Sequence, residues 1–198
     1  VKSQGLVKQF SIQITRFLLE KNAKALIIAC NTATAMALNS LKNEFNDVPI
    51  IGVIEPGCEK AIRKTTTKKI GVIGTIATVN SGVYKKTIQQ KDKEINIISK
   101  ACPLFVPFVE EGLINGSAIN EIAKYYLSSF NHKVDTLILG CTHYPLLKEI
   151  IFKNTNNIDL IDSASSVAEV AFKVLIDNKL LNEEKDPGFI HCYVTDFP

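Results

Sequence analysis

Short runs of β-branched and aliphatic residues recur along the chain, separated by amphipathic or small-residue stretches. That is the pattern of a parallel sheet covered by helices on both faces. Six runs read as strands: AKALIIA (23–29), VPIIGVI (48–54), KKIGVIG (68–74), EINIIS (94–99), VDTLILG (134–140) and IDLID (158–162). Leu6, Phe10, Ile14 and Phe17 recur at helical spacing with Ser3 in the cap position, which predicts a helix over about 5–21. Further helices are expected near 32–45, 77–91, 116–130, 145–153 and 164–179. The predicted class is α/β.

Within that pattern the chain nearly repeats itself. Residues 25–34 read ALIIACNTAT and residues 136–145 read TLILGCTHYP. Each is an apolar strand ending in a small residue, then a cysteine, then a polar residue opening a helix. Two such units predict two similar α/β halves, each offering a thiol at the carboxyl end of a strand, where open α/β sheets bind their ligands. The expected site is one cleft between the halves.

Composition narrows the classes. With 46% hydrophobic and 22% charged positions over 198 residues, the chain can bury a real core, which excludes disordered, collagen-like and coiled-coil readings. A net charge of +3 spread along the chain carries no footprint for nucleic acid or a membrane surface, so a small ligand is the expected partner. Apolar runs such as LIIA and FVPFV fall short of the roughly 18 to 20 residues of a bilayer span. Five cysteines at irregular spacing (Cys30, Cys58, Cys102, Cys141 and Cys192) make a poor disulfide framework, so free thiols and a cytoplasmic location are expected. The chain opens at Val1 and its one methionine is Met36, so the natural start is expected upstream.

A cysteine at a strand-to-helix junction sits against the positive end of the helix dipole, which is expected to lower its pKa toward neutrality and make it a base or nucleophile. Asn31 and Thr32 in one unit, and Thr142 and His143 in the other, put donors and free backbone N–H groups where a carboxylate would bind. A single cysteine after a strand is ordinarily a packing residue. The matched pair with polar followers is what points to chemistry. Two thiols facing one cleft suit removal of a proton from one face of a carbon and delivery of another to the opposite face, which has the symmetry of a racemisation. GVIGT (71–75) lacks the pattern of a phosphate loop, and Cys141 with His143 is too small a set for a metal site, so no cofactor or metal is expected.

Five blocks resemble, in order, the cofactor-independent aspartate/glutamate racemase family, and its glutamate racemases in particular. They are IACNTATAMAL (28–38), IIGVIEPG (50–57), IGVIGTIATVNSGVY (70–84), CPLFVPFVEEG (102–112) and LILGCTHYPLL (137–147). The resemblance implies that Cys30 and Cys141 are the two catalytic acid/base residues. It implies that Asn31, Thr32, Thr142 and His143 hold the substrate or assist the thiols, that His143 orients or protonates its neighbouring thiol, and that Glu110 in FVEEG supplies a nearby carboxylate. A solvated helix-end carboxylate is the plain alternative for Glu110, and Glu111 beside it competes for the role. Thr75 and Thr78 are candidate pocket residues that turn and cap chemistry explains equally well. Cys58, Cys102 and Cys192 match no motif and read as packing residues. A histidine at 143, where aspartate racemases usually carry an acidic residue, favours glutamate.

The resemblance further implies two three-layer α/β domains with parallel-type sheets facing one another across a cleft: residues 1–54 with 163–198, and residues 55–162. It implies glutamate as substrate, D-glutamate for peptidoglycan as product, and a homodimer as a conceivable assembly. Lys2 and Ser3 fit a Lys-Ser that follows the family's first strand and Asp-Ser loop, and HCYVTDFP (191–198) fits its last strand without the helix that follows. The chain is therefore expected to be a fragment, a poor catalyst by itself and short of a strand at one sheet edge. An aspartate or hydantoin racemase with the same thiol pair, and a non-catalytic two-lobed ligand-binding module with inert thiols, remain open as alternatives.

Overall fold

The computed structural model describes residues 2–156, 158–183 and 188–196. Helix α1 (Gln4–Glu20) leads to β1 (Leu26–Ile28), α2 (Asn31–Glu44) and β2 (Ile50–Gly52). These are followed by α3 (Ile54–Lys64), β3 (Lys69–Gly74), α4 (Ile76–Asn80), α5 (Val83–Lys91) and β4 (Asn96–Ala101). Then come α6 (Phe105–Glu110), α7 (Ser117–Leu127), β5 (Thr136–Gly140), α8 (Lys148–Lys153), β6 (Asp159–Ile161) and α9 (Ser163–Asp177). The strands form two parallel sheets, β1–β2 and β4–β3–β5–β6.

The larger sheet is covered on both faces, which is why its central strands are apolar without alternation: every residue of β5 is buried. Because successive side chains point to opposite faces, Leu137 and Leu139 join Phe105, Tyr126, Phe130 and Tyr144 on one side, while Ile138 joins Ile54, Cys58, Tyr84 and Ile88 on the other. Phe105 meets Tyr126 and Tyr144 edge to face, with centroids 5.3 Å apart in both pairs. The smaller sheet is covered less completely, with Ile27 of β1 exposed. Leu26 and Ile50 pack on Ala37 and Leu41 of α2, and Ile51 and Val53 pack on Val167 of α9.

Several details depart from the periodicity. Helix α1 forms with Ser3 capping Leu6 N–H at 3.4 Å, but the stripe Phe10, Ile14 and Phe17 faces outward; Ile12, Leu18 and Leu19 pack on the core and Thr15 is buried. The helix expected over 77–91 is two helices, broken at Gly82, whose φ of +65° suits a residue without Cβ. Helices α3 and α6 lie where no helix was expected. Of the segment expected as a last strand, residues 191–196 are irregular because no neighbouring strand takes up their backbone groups, and residues 197–198 lie outside the described residues.

Asp135, at the entrance to β5, ties down the turn before β3. Its carboxylate accepts from Thr65 Oγ1 at 2.6 Å, Thr66 N at 2.8 Å and Thr67 N at 2.7 Å. Partial burial alone would raise its pKa, yet these donors together hold it well below the usual carboxylate range. A folded-state pKa below the unfolded one contributes stability above the unfolded value near 3.9, and that contribution fades as pH falls below it. Asp135→Asn is thus expected to cost about 1 to 2 kcal/mol in urea unfolding at pH 7 and progressively less below about pH 4. An undiminished difference in acid would contradict this account.

Candidate active site

The two cysteines of the near-repeat stand at the carboxyl ends of β1 and β5, one from each sheet. Cys30 is the N-cap of α2: its backbone is extended and its exposed Sγ accepts from Ala33 N at 3.5 Å. Cys141 is placed differently. It is buried, and the chain behind it passes through a turn into a short 3-10 segment (Tyr144–Leu147) before α8, so no long helix points its dipole at this sulfur.

That difference corrects the expectation of a lowered pKa at Cys141. Burial pushes the thiol upward, and hydrogen bonds from the backbone N–H groups of His143 and Thr142 only partly oppose it. Negative charge on Cys30 and on Glu110 pushes it up further. The two sulfurs therefore sense one another, and an ionised Cys30 favours a protonated Cys141.

A side-chain relay leads away from Cys141. Its Sγ is 3.7 Å from His143 Nδ1, and His143 Nε2 is 3.3 Å from Glu110 Oε1. Glu110 ends α6, and it is Glu110 rather than Glu111 whose carboxylate reaches the imidazole. A carboxylate on one ring nitrogen fixes the orientation in which the other meets the sulfur.

Hydroxyl groups gather between the sheets. Thr32, in the first turn of α2, lies 3.1 Å from Thr75 and 3.0 Å from Thr78, and the last two are 3.1 Å apart. Thr75 also caps α4, accepting from Thr78 N at 3.3 Å, so cap and cluster chemistry coincide there. Asn31 is buried, and its Oδ1 accepts from the Tyr84 hydroxyl at 2.7 Å. Asn31, Cys141 and exposed Thr142 line a cavity of about 260 Å³ together with Val53, Pro145 and Ser163. A wider groove of about 790 Å³, lined by Ile114, Leu146, Phe152 and Leu160 with Lys148, Glu149 and Asp159, contains neither thiol.

The fold thus groups Cys141, His143 and Glu110, groups Thr32, Thr75 and Thr78, and sets Asn31 on the cavity that Cys141 lines. Tyr84 was not singled out by sequence, although it closes the block IGVIGTIATVNSGVY (70–84) and pairs with Ile88 at helical spacing. Of the three cysteines read as packing residues, Cys58 and Cys102 are buried, whereas Cys192 is exposed because its segment packs on no sheet. Among the described residues, no three His, Cys, Asp or Glu side chains gather as a metal site would require, and no helix is long and apolar enough to cross a membrane.

Comparison with known proteins adds an independent line. The sequence profile of the Asp/Glu/Hydantoin racemase family matches residues 7–171. The glutamate racemase of Aquifex aeolicus is 44% identical over 196 residues, spanning 99% of this chain and 73% of that protein. The glutamate racemase of Chlorobaculum tepidum is 41% identical over 199 residues, with 100% and 73% spanned. The crystal structure of glutamate racemase from Francisella tularensis in complex with D-glutamate superposes with a TM-score of 0.89 at 39% identity, covering 94% of this chain and 70% of that one.

Proposed function

This chain belongs to the Asp/Glu/hydantoin racemase family, and from that premise we propose that it interconverts L- and D-glutamate by proton transfer between two thiols. The observation that carries the reading is the sulfur pair: Cys30 and Cys141 end strands of different sheets, and charge on one opposes charge on the other. A two-base racemisation needs one thiolate to take the Cα proton and one thiol to donate on the opposite face, and the pair exchanges roles in the reverse direction. The thiols supply both acceptor and donor, so the reaction as proposed uses no cofactor or metal.

The remaining residues take supporting roles in the proposal. Negative charge develops on the substrate as its Cα proton leaves, and hydrogen-bond donors aimed at the α-carboxylate stabilise it. Asn31 Nδ2, Thr142 and the hydroxyl cluster of Thr32, Thr75 and Thr78 are the candidate donors. His143, braced by Glu110, moves protons to and from Cys141 and keeps that sulfur in place.

The same proposal assigns residues 1–54 with 163–198 to one domain and 55–162 to the other, supported by the packing of α9 on β2. It makes D-glutamate for peptidoglycan the product, the cytoplasm the location and a homodimer the assembly. Chiral chromatography on L-glutamate, L-aspartate and a hydantoin tests the substrate. Glutamate is expected to be favoured over aspartate by about a hundredfold, the discrimination one methylene allows. Faster turnover of aspartate or the hydantoin would replace the proposed substrate.

A further inference from the structure

We infer that Tyr84 is a positioning residue that couples the two thiol-bearing junctions, an inference that rests on the racemase reading for its catalytic consequence. The break at Ser81–Gly82 creates the placement. Ser81 Oγ donates to Thr78 O at 2.6 Å and accepts from Val83 N at 3.3 Å, and Gly82 takes a left-handed conformation, so the chain turns sharply before α5. The first turn of α5 then puts Tyr84 inside the core with Ile54, Cys58, Ile88 and Ile138.

The ring and the hydroxyl touch different halves of the site. A Cβ built on Gly140 would lie 3.1 Å and 3.4 Å from two atoms of the Tyr84 ring, so the ring is seated on the residue that leads into Cys141. The hydroxyl donates to Oδ1 of Asn31, the residue that follows Cys30, although the two lie 53 positions apart in sequence. That bond fixes which way the buried amide faces. Among the described residues nothing accepts from Asn31 Nδ2, which leaves its N–H groups for the cavity that Asn31 shares with Cys141. Phenylalanine would fill the same apolar space without a polar group to satisfy. The hydroxyl therefore has a role in holding Asn31 that packing does not supply.

The test uses Tyr84→Phe, Asn31→Ala and the double variant, assayed for glutamate racemisation beside thermal unfolding. Tyr84→Phe is expected to lower kcat/KM about tenfold, mainly through kcat, while the melting temperature moves by only a few degrees. In the Asn31→Ala background the same change is expected to cost less than about twofold, because the tyrosine acts through the asparagine. An equal loss in both backgrounds, or no loss in the first, would overturn the inference. A second readout needs no turnover: alkylation of Cys141 by iodoacetamide without substrate, followed by peptide mass spectrometry. Tyr84→Leu, which removes the ring from Gly140, is expected to speed it several-fold and Tyr84→Phe to leave it unchanged; equal rates in all three proteins overturn the positioning role. A parent protein that racemises no glutamate overturns the racemase reading alone, and the alkylation rates then decide the role of Tyr84.

Discussion

Cys30→Ala and Cys141→Ala are each expected to reduce glutamate racemisation by about a thousandfold or more, since each removes the only acid/base group proposed for one face of the substrate carbon. The two variants should differ in what they keep. With Cys30 gone, Cys141 still reaches its own face. It can take the Cα proton of one enantiomer, exchange it with solvent and return a deuteron to the same side. In deuterated water one variant should label L-glutamate and the other D-glutamate, each with retention of configuration, as mass spectrometry with chiral separation would show. Racemisation at the parent rate in either variant would sink the two-thiol mechanism. Labelling of both enantiomers by a single variant would show that one base serves both faces. In the proposed mechanism the pair acts as one donor and one acceptor, so deleting either member leaves no group to complete the inversion.

Most of the fold could be read in the chain because its strands are buried on both faces, and runs such as Ile70–Ile73 and Leu137–Leu139 have no other economical explanation. The near-repeat located both thiols because each follows an apolar run, although Ile27 in the first of these runs is exposed. What escaped depended on local chemistry that misleads or on distance along the chain. Helix α3 begins Ile-Glu-Pro-Gly, which reads as a turn, although a proline in a first turn only removes an N–H that lacks a helical partner anyway. Pro107 hid α6 in the same way. The outward face of α1 and the break at Gly82 are tertiary choices that periodicity alone cannot make. Glu110 and Glu111 are indistinguishable until α6 is set beside the turn carrying His143, and the bond from Tyr84 to Asn31 joins segments with no sequence mark of one another. Behind Cys141 a turn and a short 3-10 segment stand where the near-repeat suggested a long helix, and burial raises that thiol instead.

Gly140→Ala is expected to do more damage than any other single methyl group added near the site. A Cβ at 140 would sit 2.6 Å from the Ile73 carbonyl oxygen, inside van der Waals contact with backbone that cannot rotate away, because β3 is held between β4 and β5. The opposite direction is closed by the Tyr84 ring. Relief requires either that the end of β5 swing out, carrying Cys141 with it, or that Tyr84 withdraw and release Asn31. Overpacking of this kind costs about 2 to 3 kcal/mol in urea unfolding. A shift of about 1 Å at a proton-transfer site is expected to cost roughly a hundredfold in kcat even in the fully folded variant. Gly74→Ala provides the comparison. Gly74 is the register partner of Gly140, yet a Cβ there meets its nearest atom at 3.4 Å, an ordinary contact, so its stability should change by less than about 1 kcal/mol. If Gly140→Ala retained both the stability and the kcat of the parent, the spacing of Cys141 would not be set at this junction.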